Sequence, residues 1–239
     1  YVILGGVAAG TKAAAKLKRL DRQAKVKIFT KSTDISYAGC GLPYYIGGDI
    51  PTREELIVNS PAKYAGLTGA QVQTGCEAIG IDSEKKQVSI RPVDGDVFEE
   101  SYDKLIIATG AVPFVPPVEG VTLPGVFCVR TPDDAVAIRE YAETNNCRRA
   151  VVCGAGFIGL EVAENLLALK LDVTVIDAAP QIMPNAFDEE MAGFAKKKLK
   201  AGGMRILTSV SLKGIGGSDH AQSVTTENGV LPADLVILA

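Results

Sequence analysis

Two glycine-rich stretches carry the residues best suited to chemistry in this 239-residue chain. Gly154, Gly156 and Gly159 follow the apolar run Ala150-Val151-Val152-Cys153 and precede an amphipathic stretch, Leu160 to Leu169. A glycine turn between a strand and a helix lets backbone N–H groups approach a pyrophosphate at the positive helix end. An acid closing the next strand takes the ribose hydroxyls, and Asp177 stands 18 residues after Gly159. Ala178 and Ala179 follow, with no Arg for a 2′-phosphate, so NADH is expected in preference to NADPH. The other stretch, Gly5-Gly6-Val7-Ala8-Ala9-Gly10, has Val7 at the middle-glycine position. Thr30 ends its second strand, 20 residues after Gly10; a hydroxyl can bond a ribose but offers no charge. Two such turns point to two dinucleotides, and two dinucleotides to electron transfer between them.

The elements that must position these turns are duplicated. Val2-Ile3-Leu4 leads into the first turn, the Thr11 to Leu20 stretch and the strand Val26 to Phe29; the second turn is followed by Leu160 to Leu169 and Val173 to Ile176. Each half then reads as strand-turn-strand, with turn signals at Asp94-Gly95 and Asn228-Gly229. Each closes on an apolar strand, Leu105-Ile106-Ile107-Ala108 and Val236-Ile237-Leu238-Ala239. The glycine turns are displaced by 149 residues and the closing strands by 131, so the first half is longer by about 18. Much of that excess is expected around Tyr37 to Asp49. The first closing strand runs on into Thr109-Gly110 whereas the second stops at Ala239, so the chain reads as a fragment cut at both ends. The expected fold is α/β, with two Rossmann-like dinucleotide-binding domains at 1–115 and 116–239, each a βαβ core plus an antiparallel strand-turn-strand element.

Composition narrows the function. A net charge of −3, with 25 Lys+Arg against 28 Asp+Glu, leaves no nucleic-acid footprint or polybasic membrane patch. No apolar run approaches the roughly 18 residues of a membrane span. The five cysteines, Cys40, Cys76, Cys128, Cys147 and Cys153, form no C-x-x-C pair and make a poor disulfide framework. Reduced thiols and a cytoplasmic location are expected, and no Cys/His cluster suits a metal. The single His, His220, sits in a polar loop, Gly216 to Gln222, where exposure is expected.

The segment Ser36-Tyr37-Ala38-Gly39-Cys40-Gly41-Leu42-Pro43-Tyr44-Tyr45-Ile46-Gly47-Gly48 makes the reading specific. With the Gly5–Gly10 turn, Tyr102 to Gly110, the Gly154 to Glu161 motif and Asp177, it resembles the two-dinucleotide flavoprotein disulfide reductases. The likeness is nearest to the single-cysteine branch that includes coenzyme A-disulfide reductases, NADH oxidases and NADH peroxidases. It implies the glutathione-reductase type of fold, with FAD in the first unit and NAD(P)H in the second. By the same resemblance, Gly5, Gly6, Ala9, Gly10 and Thr30 form the FAD turn, and Thr109, Gly110 and Arg130 contact FAD. Cys40 is the redox thiol, Glu161 lies near the nicotinamide–flavin contact, and Phe157 covers the flavin until nicotinamide displaces it. The resemblance also implies a homodimer. The C-terminal part of the FAD domain and the dimerisation domain are expected to be absent here.

The chemistry needs a thiolate as nucleophile. With no second cysteine nearby, the oxidised form of Cys40 must be a mixed disulfide, a persulfide or a sulfenic acid. Taken alone, a free cysteine is more often a buried structural residue, the reading adopted for Cys76, Cys128, Cys147 and Cys153. The oxidases and peroxidases place a His in the first glycine motif, where this chain has Ala8. A coenzyme A-disulfide, persulfide or polysulfide reductase is therefore expected, with Arg19 and Ser36 matching positions that touch coenzyme A. Lys12, Lys16 and Arg22 offer further cations for phosphates, or simply a solvated helix face. Gly39 departs from the Asn often found before the cysteine in coenzyme A-disulfide reductases. The alternatives are an NADH oxidase or peroxidase cycling Cys40 through a sulfenic acid, and a nucleotide-binding module without turnover of its own. Lys196, Lys197, Lys198 and Lys200 end a helix opened by Asp188, Glu189 and Glu190, an arrangement that complements the helix dipole.

Overall fold

The structure, a computed structural model, describes residues 1–239. Along the chain run β1 (Val2–Leu4), α1 (Ala8–Leu20), β2 (Lys27–Phe29), α2 (Leu42–Gly47), α3 (Pro61–Thr68) and β3 (Gln71–Gln73). β4 (Cys76–Asp82), β5 (Gln87–Pro92), β6 (Phe98–Ser101) and β7 (Leu105–Ile107) complete the first half. The second comprises β8 (Val126–Cys128), α4 (Pro132–Thr144), β9 (Arg149–Cys153), α5 (Phe157–Ala168), β10 (Asp172–Asp177) and α6 (Glu189–Ala201). It ends with β11 (Arg205–Thr208), β12 (Leu212–Gly216), β13 (Ser223–Thr226), β14 (Gly229–Pro232) and β15 (Leu235–Leu238). Two compact units result: residues 1–38 with 57–111, and residues 39–56 with 112–239.

In the first unit a parallel sheet of order β3-β2-β1-β7 lies with an antiparallel one, β4-β5-β6. The alternation of a strand sends Ile3 and Ile28 to one face, where Ala14, Tyr64 and Ala70 bury them. Val2, Leu4 and Phe29 point the other way, onto Cys76, Val88 and Ile90. Burial on both faces is why these strands read as unbroken apolar runs rather than alternating ones. Tyr64 adds a polar tie, its hydroxyl donating to the carbonyl of Thr11 in α1.

The second unit repeats this plan with a parallel sheet of order β11-β10-β9-β15-β8 and an antiparallel sheet β12-β13-β14. Val151, Ile176, Val236 and Leu238 pack on Ile215 and Val224 of the antiparallel sheet. α4 opens with a full capping box: Thr131 accepts from the Asp134 N–H, and the Asp134 carboxylate accepts from the Thr131 N–H. A cap of this kind contributes about 1 kcal/mol. Asp188 caps α6 by accepting from the Met191 N–H at 2.8 Å, and Lys198 and Lys200 fill its last turn. Arg149 grips Asp234 at 2.6 Å and holds that carboxyl below the usual range, pinning the start of β9 beside β15.

Sequence and structure agree on the turns at Asp94-Gly95 and Asn228-Gly229, which join β5 to β6 and β13 to β14. Each antiparallel element has three strands where the sequence reads two, and β8 has no counterpart in the first unit. The extra length of the first half is localised by pairing. Equivalent strand positions Ile28 and Val175, 147 apart, pair with Val72 and Ile206, which are 134 apart. Thirteen additional residues therefore lie between β2 and β3, where the cysteine segment sits. No helix is long and apolar enough to cross a membrane.

Candidate functional site

Each unit carries a glycine turn, and the two share one wiring. The Gly5 N–H donates to the Phe29 carbonyl and the Gly154 N–H to the Ile176 carbonyl, both at 2.8 Å. The strand that follows closes against it: Ala108 N–H to Leu4 O at 2.7 Å, and Ala239 N–H to Cys153 O at 2.9 Å. Gly5 and Gly154 adopt φ of +110° and +119°, and an added Cβ would overlap the carbonyl oxygens of Ala108 and Ala239 respectively. Gly10 and Gly159 sit where a Cβ would overlap the carbonyl oxygens of Gly5 and Gly154. These four glycines are required by the backbone itself.

The sequence pattern does not reveal a further shared bond. Ser36 donates its N–H to the Gly6 carbonyl and Met183 donates its own to the Ala155 carbonyl, both at 2.9 Å. Both donors have left-handed backbones, with φ of 51° and 47°, and each follows a fully buried isoleucine, Ile35 or Ile182. The shared offset of 147 residues is the signal that would have found this pair.

The remaining positions of the two turns differ. At Gly156 an added Cβ meets nothing within 4 Å, so the space that a side chain would fill stays open at the N-terminus of α5. That N-terminus has no side-chain cap and no acid in its first turn, leaving backbone donors for an anion. Asp177 is tied into the turn: its carboxylate accepts from the Ala155 N–H at 2.6 Å and the Ala179 N–H at 2.7 Å. Each oxygen retains acceptor capacity for a ribose hydroxyl. In the first turn Val7 is the N-cap of α1, again without a side-chain cap or an acid in the first turn. Gly6 is held by close packing, since a Cβ would lie 2.8 Å from Ile35 Cγ2 and 3.1 Å from Thr30 Cγ2. Thr30 is thus buried against Gly6, while Ala9 is exposed in the first turn of α1. Thr109 and Gly110 follow β7 beside Gly5, and Gly110 is left-handed at φ 74°.

Cys40 lies in a single 3₁₀ turn, Gly39–Gly41, that runs directly into α2. Its thiol is exposed, and beside it a Cβ at Gly39 would meet nothing within 4 Å. The other four thiols are at least partly buried. Burial pushes Cys153 up to about 12 and raises Cys76 and Cys128; Cys147 is raised by burial and by nearby Asp234. At neutral pH these four are protonated and poor nucleophiles.

Residues 39–56 form an excursion whose ends are zipped together. Tyr37 bridges Ile57, the Val58 N–H donates to Ser36 O at 3.1 Å, and Asn59 Nδ2 donates to Ser36 Oγ at 3.3 Å. The excursion itself packs with α4 and α5. Arg53 pairs with Asp133 at 2.7 Å, and the Arg139 guanidinium sits 5.2 Å over the Tyr45 ring. Nothing in the sequence signals the Arg139–Tyr45 contact, which spans 94 residues.

The other expected site residues are dispersed. Glu161 is half-buried one turn into α5, and Phe157 at the head of that helix is 56% exposed, edge-on to Phe187. Arg130 lies just before α4 in the second unit, its N–H on the Asp134 carboxylate at 3.0 Å. Arg19 occupies the last turn of α1, by a cleft of about 550 Å³ that Lys18 and Arg22 also line. Ser36 docks on Gly6 at the opposite end of that helix, so the two are not brought together. His220 is exposed.

Residues 1–239 match the pyridine nucleotide-disulphide oxidoreductase family, and the chain belongs to it. It is 37% identical over 238 residues to an NADH oxidase of Methanocaldococcus jannaschii, covering all of this chain and 53% of that protein. It is 41% identical over 238 residues to a CoA-dependent NAD(P)H sulfur oxidoreductase of Pyrococcus abyssi, covering all of this chain and 52% of the relative. Among solved structures, an NAD-dependent persulfide reductase from A. fulgidus superposes with a TM-score of 0.95 at 37% identity, over the whole of this chain and 45% of that one. The chain thus spans about half the length of the curated relatives it matches.

Proposed function

We propose that this member of the pyridine nucleotide-disulphide oxidoreductase family works within an FAD-dependent reductase that draws electrons from NADH. The electrons reach a coenzyme A-linked disulfide, persulfide or polysulfide through Cys40. The carrying observation is that Cys40 is the one exposed thiol of five, in a segment fixed beside the helix that heads the second glycine turn.

The second turn suits NADH. Gly156 leaves room for a pyrophosphate, the head of α5 offers backbone donors, and Asp177 presents a carboxylate followed by Ala178 and Ala179, where no Arg stands for a 2′-phosphate. The first turn suits FAD: Gly5, Gly6, Ala9 and Gly10 surround the uncapped head of α1, with Thr109 and Gly110 alongside Gly5. Thr30 contributes by packing on Gly6, and Arg130 is retained as a flavin contact by resemblance. Residues 1–115 and 116–239 remain our division into FAD- and NAD(P)H-binding domains. When bound, the flavin supplies a two-electron relay from nicotinamide to sulfur.

The chain's own part is thiol exchange. The Cys40 thiolate attacks a sulfur of coenzyme A disulfide, forming a Cys40–coenzyme A mixed disulfide and releasing one coenzyme A thiolate. Two electrons and a proton then return the Cys40 thiolate and free the second coenzyme A as its thiol. Arg19, Lys12 and Lys16 along α1 supply cations for the phosphates of an elongated ligand, and Ser36 a hydroxyl near its other end. By resemblance, Glu161 is assigned to act near the nicotinamide, and Phe157, exposed at the head of α5, to cover the flavin. The sulfur-reductase names of several relatives and Ala8 at the oxidase His position favour this reading over an NADH oxidase or peroxidase. The full protein is proposed to be a cytoplasmic homodimer.

Mass spectrometry tests the exchange step. Mixing the oxidant-free full-length protein with coenzyme A disulfide, without NADH, is expected to add one coenzyme A to the Cys40 peptide alone. An unmodified Cys40 peptide, or a trapped sulfenate formed at Cys40 in air with no coenzyme A adduct, contradicts the reading.

A further inference from the structure

The helical segment that begins at Cys40 ends on a glycine held by one buried side chain. Asn165 lies in the middle of α5 and is 7% exposed. Its Nδ2 donates to the Glu161 carbonyl at 2.8 Å, and its Oδ1 sits against Gly47, the last residue of α2. A Cβ on Gly47 would overlap Oδ1 and stand 2.9 Å and 3.0 Å from Asn165 Cβ and Cγ. Only glycine lets α2 approach α5 so closely. On α4, Arg139 Nη1 donates to the carbonyls of Tyr45 at 3.3 Å and Pro51 at 3.4 Å. The 3₁₀ turn at Cys40 continues into α2 without a break, so residues 39–47 form one continuous helical segment.

Asn165 is eight residues along α5 from Phe157, about 12 Å down the axis from the glycine turn. We propose that Asn165 and Gly47 are positioning residues for Cys40. Their contact fixes, through the continuous helical segment 39–47, where the thiol stands relative to the nucleotide-binding head of α5. This rests on the reading of Cys40 as the redox thiol.

The test uses the flavin-loaded full-length protein. Its first readout is the rate at which iodoacetamide alkylates Cys40, followed by peptide mass spectrometry and independent of turnover. Gly47→Ala is expected to change that rate at least fivefold and lower sulfur-dependent turnover at least tenfold, with NAD⁺ affinity held within twofold. Adding Asn165→Gly removes all three crowding atoms, so the double variant is expected within threefold of the parent. That reversal occurs despite the helix-weakening glycine, and a generally destabilised protein would show additive losses instead. Arg139→Met, at a partly exposed side chain, is expected to raise the alkylation rate at least threefold without unfolding the protein. An unchanged alkylation rate in Gly47→Ala overturns the proposal, as does a double variant no better than the single one. If Gly47→Ala does not fold, a folded double variant supports the contact and an unfolded one refutes it. Full turnover in Cys40→Ser would instead sink the functional reading and leave the alkylation comparison standing.

Discussion

The two glycine turns are built from the same backbone bonds and differ at their remaining positions. Both fix their first glycine in a left-handed conformation under a carbonyl of the closing strand, and both press the last glycine onto the first. Both also tie the carbonyl of the turn's second residue to a left-handed donor in the loop beyond, Ser36 or Met183. The shape of the turn is thus set by main-chain geometry, which frees side chains to diverge. In the second turn the middle position is an open Gly156 and the strand-end residue a carboxylate bonded into the turn. In the first they are Val7 and a buried Thr30 that packs on Gly6. On the proposed assignment one scaffold serves two nucleotides, and the side chains that differ are the ones we propose to carry selectivity.

The sharpest way to break this equivalence is to add a methyl group at the shared positions. Gly5→Ala and Gly154→Ala each combine a positive φ with backbone overlap, and each is expected to cost at least about 3 kcal/mol or to prevent folding. Urea unfolding checks this, and a variant of nearly parental stability would show that its turn is not held as described. Gly156→Ala should behave in the opposite way. Its Cβ enters open space, so stability should stay within about 1 kcal/mol while NADH binding weakens roughly tenfold, about 1.4 kcal/mol by calorimetry. Asp177→Ala sharpens the contrast further. It removes the proposed ribose acceptor and frees the Ala155 N–H, and should reduce the preference for NADH over NADPH by roughly fivefold or more, a hydrogen-bond-sized change of about 1 kcal/mol. Thr30→Val in the first turn should leave that preference untouched.

Much of this arrangement is legible in the chain because its signals are local. Glycine spacing, apolar runs and the Asn-Gly and Asp-Gly turns each sit within a few residues, and the duplication lets one half calibrate the other. Ile35 and Ile182 escape notice because neither belongs to a periodic apolar pattern, although both are fully buried and precede equivalent turn-holding donors. The placement of residues 39–56 is illegible for a different reason. It depends on Arg139 reaching Tyr45 and on Asn165 meeting Gly47, contacts between residues about a hundred positions apart with no motif to announce them. Thr30 shows a third limit: its methyl packs against Gly6, which no local pattern announces, while its hydroxyl stays a proposed ribose contact.

The surplus of the first half over the second is the stretch that carries Cys40, the thiol to which we assign the redox chemistry. The most direct test of its role is NADH oxidation by the flavin-loaded full-length protein with coenzyme A persulfide or disulfide as acceptor, compared with oxygen alone. The account predicts sulfur-dependent turnover that falls at least a hundredfold in Cys40→Ser, with slow oxygen consumption in both proteins. Rapid NADH consumption with oxygen alone, unchanged by Cys40→Ser, would contradict it.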